Sequence, residues 1–454
     1  MSDRKRPNVI FFFTDQQRWD SMGLHGNPLE LTPNLDRAAR ENLHLPHCFT
    51  PQPVCTPARA CLQTGRYATA NGCTRNGRRL PTTLPTLARC FGEAGYATGY
   101  IGKWHLAGSD QPRGPVGEEY RGGYQYWLGA DALESVSDAY RCRVYDGEER
   151  EVLLPGYRVD ALTDAAIRYI GEQREEPFFL FLSFLEPHQQ NRFDSFPAPT
   201  GYGERYQGRW TPPDLQALGG SSAQHLGGYW GMVRRLDEAY GRLRDALHSL
   251  GLLEDTIIVF TSDHGCHFKT RNREYKRSCH EASIRVPGVI SGPGFKGRGQ
   301  FQGLASLIDL MPTVLEAAGV PVPPGLDGRS LLPALRGERA PADSVYIQIT
   351  ERGVGRSVRT RRWKYGVWSD EQKEDDQAAS YQERFLYDLE ADPYELDNLI
   401  LSDEHEPVRI RLRALLHAKM REAGEPGAEL TPAVESAEAR PLHRRKVYDD
   451  EVNQ

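Results

Sequence analysis

Long apolar runs are missing from this 454-residue sequence, whose mean hydropathy is −0.60. A membrane-spanning helix needs about 20 consecutive apolar residues, and no stretch comes close to that length. The apolar run at residues 9–13 is too short for the core of a signal peptide followed by a cleavage site. The sequence therefore predicts a cytoplasmic protein with no membrane partner.

An excess of positive charge is also absent. The net charge is −6 and the pI about 6.1, so no global basic field indicates a nucleic acid as partner. No C-x-x-C pair indicates a zinc site. The eight cysteines are even in number, but in a reducing compartment we expect them to be mostly thiols.

Four apolar segments predict strands buried on both faces of a parallel sheet. They are residues 8–14, 97–101, 178–184 and 256–261. Candidate site groups follow them in order: Asp15 and Gln16, Lys103 and His105, His188, and Asp263 and His264. Because the carboxyl ends of parallel strands meet at one edge of a sheet, we expect one shared site there. The predicted fold class is α/β, with a large, mostly parallel sheet flanked by helices.

The pattern changes after about residue 337. Residues 344–350, 357–361 and 363–368 predict short antiparallel strands, and residues 408–423 predict a helix. We therefore predict a catalytic domain at 1–340 and a smaller C-terminal domain at 341–454, with a polar, extended tail from residue 424. Residues 109–157 are rich in Gly, Tyr and Arg, and predict a loop-rich insertion.

The segment C-T-P-A-R-A-C-L-Q-T-G-R begins at Cys55. Pro57 and the helix-forming residues after it predict a short helix that Gly65 closes. Cys55 would then lie at a helix N-terminus, where free N–H groups stabilise a thiolate or an oxyanion. Arg59 lies one turn further on and can face the same site. A lone cysteine is more often a buried structural residue, so this motif alone leaves both interpretations open.

The strand-end groups divide into two chemical sets. Three oxygen donors and one imidazole suit a hard divalent cation: Asp15, Gln16, Asp263 and His264. Cationic groups suit a tetrahedral anion: Arg59, Lys103, His105, His188 and Lys276. Together they predict metal-assisted transfer of a sulfuryl or phosphoryl group.

The motif C-T-P-A-R, followed by T-G, resembles the signature of the formylglycine-dependent type I sulfatases of the alkaline-phosphatase-like superfamily. The strings T-D-Q-Q-R, T-P-N-L-D, G-K-W-H, S-D-H-G, E-A-S-I-R-V-P and L-Y-D-L-E-A-D-P-Y-E-L-D-N-L look like further blocks of that family, from residue 8 to residue 399. The resemblance implies a C-terminal domain with a small antiparallel sheet. It also implies that a formylglycine-generating enzyme converts Cys55 to formylglycine.

The resemblance also implies residue roles. Asp15, Gln16, Asp263, His264 and the modified residue 55 would bind Ca²⁺, with Mn²⁺ or Mg²⁺ as alternatives. One hydroxyl of the hydrated aldehyde, activated by the metal and Asp263, would attack sulfur. Lys276 and His188 would hold the sulfate, and either would protonate the departing alcohol. His105 would then take a proton from the second hydroxyl, while Arg59 and Lys103 hold the diol.

Three positions depart from common members of the family. Asp15-Gln16 stands where many members have two aspartates. An Asp-Gln pair resembles the choline-sulfatase and phosphonate-monoester-hydrolase branches. His264 replaces an asparagine, and Cys279-His280-Glu281 replaces a Tyr-Glu pair. Fewer negative charges leave the metal identity open.

The predicted substrate is a small anionic sulfate ester, with a sulfated sugar favoured. Gln189, Gln190 and Arg192, together with the basic loop 266–277, could hold such a sugar. The alternatives are a phosphonate monoester or phosphodiester hydrolase, a non-catalytic anion-binding homologue with unmodified Cys55, and a direct cysteine hydrolase. Thiolates attack such esters poorly, which disfavours the last. The tail 424–454 leaves a homo-oligomer open.

Overall fold

The computed structural model describes residues 6–370, 375–436 and 438–439. The strands are β1 (Asn8–Thr14), β2 (Leu43–His44), β3 (Cys48–Phe49), β4 (Ala97–Lys103), β5 (Tyr126–Ala130), β6 (Cys142–Asp146), β7 (Glu151–Leu154), β8 (Phe178–Ser183), β9 (Thr256–Ser262), β10 (Arg285–Val286), β11 (Gly288–Ser291), β12 (Gly299–Gln300), β13 (Ala305–Ser306), β14 (Ser344–Ile349), β15 (Val354–Thr360), β16 (Trp363–Ser369), β17 (Ser380–Asp388) and β18 (Glu429–Thr431). In these ranges no helix has the length and apolar character needed to cross a membrane.

The helices cover the sheets and the connections between them. They are α1 (Pro33–Glu41), α2 (Cys55–Thr64), α3 (Ala68–Asn71), α4 (Leu87–Glu93), α5 (Leu133–Val136), α6 (Arg158–Glu172), α7 (Tyr202–Tyr206), α8 (Pro213–Leu218), α9 (Ser222–Ser249), α10 (Glu281–Ile284), α11 (Leu307–Ala317), α12 (Leu332–Leu335) and α13 (Glu406–Glu422).

Ten strands of the described chain form one mixed sheet. Their order is β12-β2-β11-β9-β1-β8-β4-β5-β6-β7. The four predicted buried strands lie side by side as β9, β1, β8 and β4, and all three pairings are parallel. The predicted α/β class and the convergence of these strand ends at one edge are thereby confirmed.

Both faces of the central strand β1 are buried. Phe11 belongs to one hydrophobic cluster, which contains residues of α2, α4 and α11, and Phe12 belongs to the other, which contains residues of α1, α6 and α9. Phe11 stacks on Phe181 at 5.2 Å, and Phe12 stacks on Phe260 at 5.3 Å between ring centroids. The unbroken apolar run of β1 therefore reflects a sheet sandwiched between two helical layers.

The C-terminal sheet consists of β14, β15, β16, β17 and β18 in sequence order. Its first three pairings are antiparallel. The pairings among β14, β15 and β16 confirm the predicted antiparallel strands, whereas β17 was not predicted. Helix α13 packs its Leu412 and Leu416 into the hydrophobic cluster of this sheet. The sheet falls inside the predicted domain 341–454, whose boundary stays a prediction.

The prediction of a loop-rich insertion at residues 109–157 is wrong in part. Strands β5, β6 and β7 lie in this segment and extend the main sheet. Its glycines partly serve strand packing: a Cβ at Gly129 would lie 2.6 Å from the carbonyl oxygen of Gly102 on the neighbouring strand β4. Glycine therefore permits the close approach of two strands here, although a glycine-rich composition is typical of loops.

Two other predicted elements have different bounds. The strand predicted at 97–101 continues to Lys103, so this lysine still belongs to β4. Pro287 separates β10 from β11, because proline has no N–H for the ladder. The predicted tail is ordered at its start, where Glu429–Thr431 pairs in parallel with β17. Residues 437 and 440–454 lie outside the described residues.

Candidate active site

Two carboxylates leave the main sheet at the same edge. Thr14 and Ser262, the last residues of β1 and β9, are paired in register. Asp15 and Asp263 follow directly, and both are fully buried. Asp263 Oδ1 accepts a hydrogen bond of 3.0 Å from the backbone N–H of Gln16. Parallel pairing of the two strands thus fixes both carboxylates beside each other.

Arg59 bridges these carboxylates. Its Nη2 lies 3.0 Å from Asp15 Oδ2 and 3.2 Å from Asp263 Oδ2. Its Nη1 donates to the Lys103 carbonyl oxygen at 2.9 Å and to Ser183 Oγ at 2.8 Å. The guanidinium is thereby held by strand ends on both sides, and it orients both carboxylates.

Cys55 is the first residue of α2, and Gly65 ends this helix with a φ of 65°. The predicted position of Cys55 at a helix N-terminus is confirmed. Its Sγ lies 3.7 Å from Asp15 Oδ1 and 3.4 Å from His264 Nε2. The sulfur marks the place that an oxygen atom of a formylglycine would take, because this oxygen replaces sulfur on Cβ. All eight cysteines are free and buried.

Lys276 brings a positive charge to the sulfur from the opposite wall. Its Nζ lies 2.8 Å from Cys55 Sγ, 3.2 Å from His188 Nε2 and 3.1 Å from His264 Nε2. The backbone N–H of the next residue, Arg277, donates to the Pro53 carbonyl oxygen at 3.3 Å. The basic loop is therefore fastened to the segment that leads into α2.

Lys103 and His105 reach the site through a turn. His105, which is not a glycine, has a φ of 62°. Lys103 Nζ lies 2.8 Å from Asp15 Oδ2 and 3.8 Å from Cys55 Sγ. Glu134, on α5, lies 3.2 Å from Lys103 Nζ and 3.9 Å from His105 Nε2. A buried carboxylate therefore faces both cationic groups.

These contacts shift the acid–base behaviour of the site. Burial alone would raise the pKa of the Cys55 thiol, but Lys103, Lys276 and His264 outweigh it and lower this pKa well below its usual range. Burial likewise opposes ionisation of Glu134, yet Lys103 and His105 lower its pKa to about 2. The cavity floor thus favours negative charge at residue 55.

The residues present fit a divalent cation. Asp15, Cys55, Asp263 and His264 each offer a ligand atom, and these atoms lie within 4.8 Å of one another. The Oε1 of buried Gln16 has no hydrogen-bond partner among the described residues. Burial raises the pKa of Asp263, and the negative charge of Asp15 adds to this effect. A bound cation would supply the charge that keeps both carboxylates ionised, in addition to Arg59.

The catalytic cavity, of about 360 Å³, opens above Cys55. Its lining residues are Cys55, Asn76, His105, Glu134, His188, Gln189, Asn191, Asp194, Lys269, Arg273, Glu274, Tyr275, Lys276 and Arg277. Its wall is thus mainly polar, and positively charged side chains line the side formed by the basic loop. This composition suits an anionic, hydroxyl-rich ligand better than an apolar one.

The predicted metal-binding and anion-binding residues all lie at this edge of the sheet. Two of the three predicted sugar contacts, Gln190 and Arg192, do not line the cavity. The side-chain amide of Gln190 donates to the carbonyl oxygens of Glu134 and Ser137 and is buried. Arg192 is exposed, lies over the Phe193 ring and is not part of the cavity lining. Gln189 does line the cavity.

Sequence reasoning missed Glu134 and Asn76. Glu134 lies in the segment interpreted as a loop-rich insertion, and no motif singles it out. Asn76 Oδ1 accepts a hydrogen bond of 3.1 Å from the backbone N–H of Thr56, beside Cys55. No local sequence signal reports either contact, because both join segments that are distant in the chain.

Known proteins resemble the chain over nearly its whole length. A family model described as sulfatase matches residues 7–320, and one described as the C-terminal part of N-sulphoglucosamine sulphohydrolase matches residues 273–422. An ulvan-active sulfatase of Formosa agariphila is 31% identical over 92% of this chain and 82% of its own. An N-acetylglucosamine-6-O-sulfatase of Bacteroides thetaiotaomicron is 26% identical over 91% of this chain and 86% of its own.

The fold agrees with this relationship. The structure of a Bacteroides fragilis sulfatase homologue, yidJ, superposes with a TM-score of 0.82. It covers 94% of this chain and 98% of its own at 24% identity, so this likeness bears on the fold alone. The family model spans the strand ends and the Cys55 helix that build the cavity. The chain therefore belongs to the sulfatase family, and it is a sulfuric ester hydrolase.

Proposed function

We propose that the protein removes a sulfate ester from a sulfated carbohydrate, using a formylglycine made from Cys55 and a divalent cation, with Ca²⁺ as first choice and Mn²⁺ or Mg²⁺ as alternatives. One observation carries this proposal. Cys55 Sγ lies at a helix N-terminus and 2.8 Å from Lys276 Nζ, at the floor of the cavity. Helix N–H groups and an ammonium together suit a group that carries negative charge during the reaction.

The groups implied by the family supply the reactive atoms. When present, the hydrated aldehyde supplies the nucleophilic oxygen, and the cation supplies positive charge beside it. Asp15, Gln16, Asp263 and His264 would hold the cation together with residue 55. Arg59 contacts both carboxylates and so keeps them in place for that purpose.

The remaining residues bind the sulfate and move protons. Lys276 donates to a sulfate oxygen, and His188 Nε2, 3.2 Å from Lys276 Nζ, is placed to protonate the departing alcohol. Lys103 lies 3.8 Å from the sulfur of residue 55 and balances negative charge there. His105 lines the same cavity and takes the proton from the second hydroxyl of the hydrated aldehyde. The bond between the carbon and the sulfate oxygen then breaks, so sulfate is released and the aldehyde is restored.

A sulfated carbohydrate is supported by two independent facts. The relatives described above are an ulvan-active sulfatase and an N-acetylglucosamine-6-O-sulfatase. Amides also line the catalytic cavity, contributed by Asn76, Gln189 and Asn191. Amides donate and accept hydrogen bonds, as the hydroxyls of a sugar require.

The test compares two ester types on one protein. Mass spectrometry of the peptide 41–59 first confirms the aldehyde at residue 55. We then expect a higher kcat/KM for 4-nitrophenyl sulfate than for an aryl phosphonate monoester, and loss of turnover on chelation. A higher value for the phosphonate would move the protein to the phosphonate-hydrolase alternative. Unmodified Cys55 with no turnover would favour the anion-binding alternative.

Variants separate chemistry from folding. Lys276→Met should lower kcat/KM by about 10²–10³, the usual effect of losing one donor to transition-state charge. Lys296→Met, which removes an exposed lysine, should leave the rate unchanged. Equal rates for Lys276→Met and wild type would contradict the assignment of Lys276.

Several earlier expectations stay predictions. They are the cytoplasmic location, conversion of Cys55 by a formylglycine-generating enzyme, and assembly into a homo-oligomer. Fractionation of cells, aldehyde mass spectrometry with and without that enzyme, and light scattering of the purified protein test them in turn.

A further inference from the structure

A second cavity, of about 260 Å³, adjoins the catalytic cavity. Its lining includes Arg273, Arg277, Arg352, Trp368, Arg384 and Phe385. Arg273 and Arg277 line both cavities, so the two lie next to each other along the basic loop. Ligand pockets usually measure about 300–1,000 Å³, so this volume suits an extension of a ligand rather than a separate large one.

An aromatic wall belongs to the second cavity. Trp368, on β16, packs closely against Gly353 and Gly355, where a Cβ would collide with the indole. The indole Nε1 donates to Asp370 Oδ1 at 2.9 Å, which fixes its orientation. The Arg384 guanidinium lies 5.7 Å from the Trp368 centroid and 5.9 Å from that of Phe385. Aromatic rings beside polar groups suit a ligand with both apolar and polar faces, as a sugar ring has.

Arg273 carries the charge that is available for a ligand. It is exposed, and the described residues give it no hydrogen bond or ion pair. The other arginines of the wall are already engaged: Arg277 with Glu351 at 2.5 Å, Arg352 with Glu274 at 2.6 Å, and Arg384 with Asp370 at 2.8 Å. An unpaired guanidinium between two cavities can bind a sulfate or carboxylate in a bidentate manner.

We propose that the second cavity binds the sugar next to the one that carries the scissile sulfate, and that Arg273 binds an anionic group of that neighbouring sugar. The proposal rests on the proposed function of the catalytic cavity. It makes the preferred substrate an oligosaccharide with at least two sugars and a second negative charge. Arg273 is then a specificity-determining residue rather than a catalytic one.

The structure also couples the two cavities. The ion pairs of Arg277 and Arg352 join the basic loop to Glu351 and its neighbours in the C-terminal sheet. Lys276 directly precedes Arg277 and contacts residue 55. A ligand in the second cavity thus contacts the same loop that presents the catalytic lysine, so its binding energy can help to position the sulfate.

The experiment uses full-length, aldehyde-bearing protein and three kinds of probe: 4-nitrophenyl sulfate, a set of hexosamine and galactose monosulfates, and disulfated disaccharides that contain them. The variants are Arg273→Gln and Trp368→Ala. Arg209→Gln serves as the matched control, because Arg209 is exposed and lines neither cavity. Calorimetric binding of the best disaccharide to Cys55→Ala protein gives a readout that does not depend on turnover.

For wild type we expect a higher kcat/KM on the best disaccharide than on its monosaccharide. Arg273→Gln should raise KM and the dissociation constant for the disaccharide about tenfold, and kcat/KM should fall further for the disaccharide than for 4-nitrophenyl sulfate, which is too small to reach the second cavity. Trp368→Ala should act in the same direction, and Arg209→Gln should change nothing. Higher salt should reduce the preference, since an exposed charge is screened.

Two results with Arg273→Gln would overturn the proposal: unchanged binding of the disaccharide, or an equal loss on 4-nitrophenyl sulfate and the disaccharide. If wild type with a confirmed aldehyde hydrolyses no sulfate ester, the proposed function has failed instead. If it hydrolyses 4-nitrophenyl sulfate but prefers monosaccharides, only the second-cavity proposal has failed.

Discussion

A fully buried ion network joins the basic loop region to the C-terminal sheet, and it allows a quantitative prediction. Lys364 Nζ lies 2.8 Å from Glu281 Oε1 and 2.6 Å from Glu395 Oε1, and all three side chains are at most 3% exposed. Glu395 Oε2 also accepts a hydrogen bond of 2.6 Å from the Glu281 backbone N–H. Lys364→Met would keep the length of the side chain but leave the Glu395 carboxylate without its cation.

Breaking a buried pair by removing one partner costs about 3–5 kcal/mol, because a charge is left without compensation. The unfolding entropy is about 2.1 cal/mol/K per residue, hence about 1 kcal/mol/K for 454 residues. Calorimetry should therefore show Tm falling by about 3–5 °C in Lys364→Met. Adding Glu395→Gln should restore part of this loss, because it removes the uncompensated charge.

Lys296→Met is the matched control for this variant. Lys296 forms an ion pair of the same length, 2.8 Å, with Glu254, but the two side chains are 70% and 76% exposed. Exposed pairs contribute little, so the control should unfold near the wild-type Tm. If Lys364→Met and Lys296→Met unfold at the same temperature, burial does not make this network important, and the reasoning is refuted.

Three further predictions concern metal, catalysis and acid stability. Ca²⁺ at 100 times its dissociation constant should stabilise the protein by about 2.7 kcal/mol and so raise Tm by about 3 °C. Calorimetry of Asp15→Asn should show little of this rise in Tm, and an equal rise in the variant would contradict the proposed cation site. Burial lowers the pKa of His105, whereas Glu134 raises it. Glu134→Gln should therefore move the rise of kcat with pH to lower pH, and Glu134→Asp should move it part of the way back. An unchanged pH profile in Glu134→Gln would refute the effect of Glu134 on His105. Burial lowers the pKa of His44 from 6.5 to about 4, so below about pH 6.5 the unfolded state binds more protons than the folded state. The free energy of unfolding, measured with a denaturant, should therefore fall as the pH is lowered from 6.5 to 4. It should fall less steeply in His44→Gln.

The sequence allowed prediction of the parallel core and of most of the site, because both depend on short-range patterns. Apolar runs such as β1 identify strands that are buried on both faces, and the residue directly after each strand lies at the ligand-binding edge. Asp15 and Asp263 could therefore be placed together without knowledge of the strand order. The helix of Cys55 was equally local, since Pro57 and Gly65 mark its two ends.

What could not be predicted depends on contacts between distant segments. Glu134 lies on a four-residue helix within a glycine-rich stretch, and only the pairing of β4 with β5 brings it to Lys103. The positive φ of 62° at His105 could not be predicted either, because the residue is not a glycine. Sequence spacing describes one segment at a time, whereas these positions result from tertiary pairing.

The blocks shared with the sulfatase family acquire a physical explanation from the same network. E-A-S-I-R-V-P contributes Glu281, and L-Y-D-L-E-A-D-P-Y-E-L-D-N-L contributes Glu395, and Lys364 binds both. Arg271, in the basic loop, donates to the Glu395 carbonyl oxygen at 2.9 Å. The loop that presents Lys276 is thus held at Glu395, which follows β17, and at Glu351, which lies between β14 and β15. The region around the C-terminal sheet therefore helps to position Lys276, since it holds the loop that places this lysine beside residue 55.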